Sequence, residues 1–184
     1  MRIAAFVLLL AAAIPFAQAA DWKMDPPASR LEFVASFEKT AAPGVFKDFD
    51  ARIRFDAGKP EGGQIDVTIR TASADMSSAD INKAIGGPEW FDFARYPQAA
   101  FHAAEIRRVD GNRFVARGTL SLKGVQQAVE VPFVWTDAAD AATMEGELTL
   151  QRAAFGIGTG EWTATNVIGA DVKIRFRLKL RKAG

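Results

Sequence analysis

The chain has 184 residues, 49% of them hydrophobic, with 23 Lys and Arg against 22 Asp and Glu. That balance lacks the basic surplus that phosphate backbones demand, so nucleic acid is not an expected partner. There is no cysteine, which excludes disulfides, thiolate metal sites and a lipid-modified cysteine, and the length suits one domain with a sizeable core.

Arg2 is the only charge among the first twenty residues, residues 3–16 are almost entirely apolar, and Ala17-Gln18-Ala19 has a small-x-small pattern. This predicts a signal peptide over residues 1–19, cleaved after Ala19, and an exported single domain over 20–184. The apolar run is short of the ~20 residues a membrane-spanning helix needs.

From Ser29 onward the dominant pattern is alternation with period two, which predicts strands with one face buried. Leu31, Phe33, Ala35 and Phe37 form the first apolar set, and Phe49, Ala51, Ile53 and Phe55 the second. Ile65, Val67 and Ile69 follow, then a strand over residues 101–108, then Phe114, Ala116, Leu120 and Leu122. Val129, Val131, Phe133 and Trp135 come next, before Met144, Leu148 and Leu150. The last run is the most regular: Val172, Ile174, Phe176, Leu178 and Leu180 alternate with Lys173, Arg175, Arg177, Lys179 and Arg181. Turn signals at residues 58–63, 110–112 and 123–124 separate these runs, and about eight short strands joined in this way predict an antiparallel barrel or sandwich.

One segment breaks the rhythm. Residues 77–85 carry capping serines and apolar residues four apart, predicting a short helix that Gly86-Gly87-Pro88 ends, with a second helical turn from Pro88. Such an insertion suits the open end of a barrel.

Alternation does not say which face meets water. Five positive side chains on one face of the final strand would be costly inside a small barrel, so the apolar face is assigned to the interior. A barrel of this size is either filled by its own side chains or just wide enough for a small ligand, and the mixture of Phe with Ala allows both.

Motifs carry the reading further. The stretch Gly87-Pro88-Glu89-Trp90-Phe91-Asp92-Phe93, followed by Pro97 and Phe101, resembles the "FFD…P…F" signature of the YceI-like family of exported bacterial proteins. Residues 118–125 resemble that family's "G-x-L-T-x-x-G-V", and Arg152, Phe155, Gly156 and Ile157 its "R-x-x-F-G-I". Trp22, Asp25, Ser29 and Phe33 fit its opening, and Phe46, Phe49 and Asp56 its "G-x-F…F…F-D" stretch. The ordered set covers nearly the whole mature chain.

The resemblance implies an all-β, eight-stranded, lipocalin-like extended barrel in the periplasm or secreted space. It further implies that a polyisoprenoid, such as a respiratory quinone tail, or another long amphiphile is held in an apolar tunnel. A cytochrome b-type membrane protein is an implied partner. Alternation then nominates ligand contacts on the strands: Phe33, Phe37, Phe49, Ile53, Ile65, Val67, Phe101, Leu120, Phe133, Trp135 and Leu148. Ile81, Ile85, Trp90 and Phe91 of the insertion, with Phe155, complete the set.

The remaining features read as structural. His102, the only histidine, falls on the face opposite Phe101 and is expected at the surface; no metal cluster, catalytic motif or cofactor site accompanies it, and no enzyme is expected. Trp162, after Gly156, Gly158 and Gly160, is placed in a mobile loop near a barrel end. The competing function is a non-catalytic partner module of a respiratory membrane complex, with a filled barrel.

Overall fold

The computed structural model describes residues 19–183, so the expected leader, apart from Ala19, lies outside the described residues. The described residues form eleven strands and one α-helix. These are β1 (Ala20–Met24), β2 (Arg30–Phe37), β3 (Thr40–Phe46), β4 (Phe49–Phe55), β5 (Gln64–Arg70) and β6 (Ala74–Asp75), then helix α1 (Ala79–Ile85). The rest are β7 (Gln98–Asp110), β8 (Arg113–Leu122), β9 (Val125–Ala138), β10 (Ala141–Gln151) and β11 (Asp171–Lys182).

They make eight staves of a closed antiparallel barrel, because three staves are each broken into two strands. Both β1 and β2 lie along β11, which pairs Met24 with Leu180 and Phe33 with Ile174. Likewise β3 pairs with β2 and β4 with β1, while β5 and β6 follow β4 and β3. The predicted eight-strand count therefore holds, with β1, β3 and β6 as additional pieces of the same staves. The β3 segment escapes the alternation test because Pro43 and Gly44 interrupt it. Proline is tolerated there because residues 40–44 have a ladder partner on one side only, β2.

The apolar faces point inward, and the cations on the outer face of β11 are partly neutralised by carboxylates of its neighbours. Arg177 and Arg175 stand opposite Glu145 and Glu147 on β10, with ion pairs of 3.3 and 2.6 Å. Lys173 shares Glu147 at 3.5 Å, and Arg181 reaches Asp25 at 3.2 Å.

The two ends of the barrel differ. At one end the ladders close all round, and the interior is solid with aromatic rings. Trp22, Phe55, Phe114, Phe133 and Trp135 meet at centroid distances of 4.8 to 5.8 Å, mostly edge to face. The indole N–H of Trp22 donates to the Phe55 carbonyl at 3.0 Å, which satisfies the one polar atom of that ring.

At the other end the wall is interrupted twice. The β9–β10 ladder stops at Val134 opposite Glu145. Trp135 N–H points to Asn112 on the β8 side, so alternation turns the nitrogen of Pro132 toward β10, where it has no hydrogen to give. A Cβ at Gly146 would lie 2.2 Å from the Pro132 carbonyl oxygen, so only glycine fits where the two strands begin to part. On the far side of the barrel, the outer edge of β3 pairs with β6 only at Val45 and Phe46, and, among the described residues, 40–44 have no ladder partner on that side.

Candidate functional site

The interrupted end is hollow. A cavity of about 550 Å³ lies there, lined by inward-facing residues of the barrel strands, by α1 and by residues 152–168. Its wall is apolar except for Ser36 and Arg152. Small residues make the room: Ala35, Ala42, Ala84 and Ala99 line it where larger side chains would fill it. Gly44 does the same locally, since a Cβ there would stand 2.2 Å from the ring of Phe33.

Two segments roof the cavity. In the first, Ser78 caps α1 by accepting from Ile81 N–H at 3.4 Å, and Ile85 is buried against Phe33 and Ala74. Asp75 pins the approach to the helix. Its carboxylate takes Lys47 at 2.5 Å, the Asn82 amide at 2.8 Å and the Ser77 N–H at 2.9 Å, which holds its pKa well below the usual carboxylate range. Beyond α1 the chain makes tight turns rather than the second helical turn expected from Pro88, with Trp90 and Asp92 N–H both bonded to Gly87 O. Those turns set Phe91 against Phe33 and Phe46 at 6.5 and 6.0 Å.

The second roof segment, residues 152–169, is built around Arg152, which is only 4% exposed. Its Nε donates to Gly169 O, one terminal nitrogen to Ile157 O and Gly158 O, and the other to Trp162 O and Ile168 O, at 2.7 to 3.0 Å. All five N–H groups are thus used on backbone carbonyls, and burial pushes the guanidinium pKa down. The glycine-rich segment expected to be mobile is instead held by this fork. A Cβ on Gly158 would meet the guanidinium at 2.0 Å, so glycine is required for the arginine to reach.

The two segments are fastened to each other. Glu89 O accepts from Gly158 and Thr159 N–H at 2.7 and 3.0 Å, and Trp90 meets Trp162 at 5.5 Å between ring centroids. Lys123, in the β8–β9 turn, bridges them by donating to Pro88 O at 2.7 Å and Gly156 O at 2.6 Å. Burial lowers the Lys123 pKa, against the opposing pull of Asp92 and Glu89. Arg152 has no N–H left for a ligand, and Lys123 does not line the cavity. At the mouth, Phe37 and Ile81 line the cavity while remaining 49% and 44% exposed.

The nominated contacts divide cleanly. Phe33, Phe37, Phe49, Ile65, Val67, Ile81, Ile85, Trp90, Phe91, Phe101, Leu120, Leu148 and Phe155 line the cavity. Ile53, Phe133 and Trp135 do not; they belong to the solid end, where neighbouring rings occupy the space they face. Alternation identifies an inward position but not its height along the barrel, which is why these three were nominated. In the sequence Arg152 stands in a motif and Lys123 in a turn, and the only trace of either role is the nearby glycine, Gly158 for Arg152 and Gly124 for Lys123.

His102 lies on the outer face, its Nδ1 2.6 Å from Asp66. Partial burial pushes the Asp66 carboxyl up, but hydrogen bonds from His102 and Gln64 leave it below its ordinary range. Among the described residues, no group of three or more His, Asp or Glu side chains is placed to hold a metal ion.

Comparison with known proteins agrees with this architecture. The family model described as the YceI-like domain matches residues 22–180. Burkholderia cenocepacia BcnA superposes with a TM-score of 0.83 at 34% identity, covering 85% of this chain and 98% of that one. A polyisoprenoid binding domain from Saccharophagus degradans superposes with a TM-score of 0.71 over 90% of this chain and 99% of its own, at 19% identity. A UPF0312 protein of Azotobacter vinelandii is 35% identical over 88 residues, 48% of this chain and 46% of that protein. The chain thus spans about half the length of the first curated relatives it matches. The match over residues 22–180, together with the barrel, means that this chain belongs to the YceI-like family.

Proposed function

We propose that this chain is a non-catalytic lipid-binding protein that holds the tail of a long amphiphile, a polyisoprenoid or quinone tail or a similar chain, in its hollow end. The observation that carries the reading is a cavity of about 550 Å³ whose wall is apolar except for Ser36 and an Arg152 with no donor to spare. Such a wall rewards burial of hydrocarbon and offers nothing to a polar head group. The polyisoprenoid binding of the Saccharophagus domain, on the same fold, supports the choice of ligand class.

The magnitudes are adequate. At roughly 30 Å³ per water-sized group, the cavity holds about 18 methylenes. Burying them yields a gross ~14 kcal/mol at ~0.8 kcal/mol each. Association costs of at least ~4 kcal/mol leave up to ~10 kcal/mol, a Kd between nanomolar and micromolar. No polar anchor is needed.

With the expected leader, the place of action is the periplasm, and the role is storage, transport or protection of the lipid. The test is native mass spectrometry of protein purified from the periplasm without detergent, followed by solvent extraction of the carried material. An apolar chain-bearing ligand is the expected result. A clean apo mass with no uptake of added quinone would overturn this reading in favour of a partner module for a membrane protein.

A further inference from the structure

The cavity has a floor, and the floor is rigid. Ile65, Phe101, Val131, Met144 and Leu178 line the cavity and also belong to the packed cluster of the solid end. Beneath them the interior is closed by Phe55, Phe114, Phe133 and the two tryptophans, in contact with one another and with no side-chain polar atom left unsatisfied. Interiors packed in this way do not yield to a probing chain without losing many dispersion contacts at once. At the opposite end lie Phe37 and Ile81, apolar and half exposed. The head group has no partner inside, so it stays at the mouth and the tail runs from there to the floor.

Resting on the lipid-binding reading above, we propose that the ring-packed plug makes the cavity a gauge of tail length. A tail that spans the cavity from the mouth has its far end against Met144 and Leu178. The surplus of any longer tail stays at the mouth against Phe37 and Ile81. Affinity therefore rises with each carbon until the tail touches the floor, and then flattens.

The experiment uses the folded, delipidated protein and linear primary alcohols from about 10 to about 30 carbons, in competition for an apolar fluorescent dye. Each added methylene should tighten binding by up to about fourfold at short lengths. The gain should fall to less than about 1.5-fold per carbon beyond a single break inside that range. A steady gain through 30 carbons would overturn the gauge while leaving lipid binding intact. Failure of every alcohol to bind would overturn the lipid-binding reading itself, and the gauge with it.

Met144→Ala, which deepens the floor by about three side-chain atoms, should move the break about three carbons longer. Val131→Phe should move it shorter, and the break of the unmutated protein decides the matter even if neither variant folds. An unmoved break in both folded variants would place the stop elsewhere and overturn the assignment of the floor.

Discussion

Replacing Arg152 by methionine removes a charge that is buried without an acidic partner, together with five hydrogen bonds to carbonyls. Gly169, Trp162 and Ile168 are partly exposed, so their carbonyls can turn to water. Ile157 and Gly158 are buried, and their two carbonyls are left without a partner at about 1–3 kcal/mol each. Relief from burying the charge offsets part of this, so the expected net loss is about 3 kcal/mol. For a domain of this size that is a fall in Tm of about 10 °C. Arg152→Lys keeps the charge but cannot span both sides of the fork, and should lose about half as much. Urea unfolding followed by tryptophan fluorescence gives the loss, and limited proteolysis should show new cleavage within residues 156–169. An Arg152→Met variant within about 0.5 kcal/mol of the parent, with that segment still protected, would refute the claim that the fork holds the roof.

Phe133→Asp places a carboxylate among Phe55 and Phe114, 5.8 and 5.5 Å away in the solid end. It should cost more than about 4 kcal/mol and leave the chain largely unfolded by circular dichroism; a folded variant within about 1 kcal/mol of the parent would contradict the packing described. Asp75→Asn keeps an acceptor beside Ser77 but gives up the charge that pairs with Lys47. Because the folded pKa of Asp75 lies below its ordinary 3.8, the stabilisation is present above that value and is lost as pH falls through the folded one. The urea midpoints of parent and variant should differ at pH 6 and converge toward pH 2, and an equal difference at both would refute the assignment.

The barrel was legible because β11 and β4 alternate without a fault, and because a strand buried on one face leaves that trace wherever its partners lie. What the trace misses is closure. The hairpins at Glu38-Lys39 and Ala139-Asp140 place non-glycine residues at positive φ, so no glycine announced them. β3 was invisible for the opposite reason: its proline and glycine read as a loop, yet the position of β2 makes a strand of it. Val67 and the contacts of the insertion fell on the cavity because they sit high in the barrel, and Ile65 and Phe101 because they reach its floor. Ile53, Phe133 and Trp135 share the same parity but sit low, and height depends on the stagger of strands, which periodicity does not encode. Arg152 was hardest to foresee, since an arginine satisfied wholly by carbonyls has no acidic partner in the sequence to betray it.

The two breaks in the wall have a bearing on what the hollow end tolerates. Residues 125–133 and 146–151 share no ladder, and the outer edge of β3 is paired only at Val45 and Phe46. The girth of this end can therefore change without breaking a ladder bond between those strands, while the plug below cannot give. A straight alkyl tail and a methyl-branched one differ in thickness far more than in the way they end. On the proposed tail-binding role, such an end would be strict about how far a chain goes in and lenient about how stout it is.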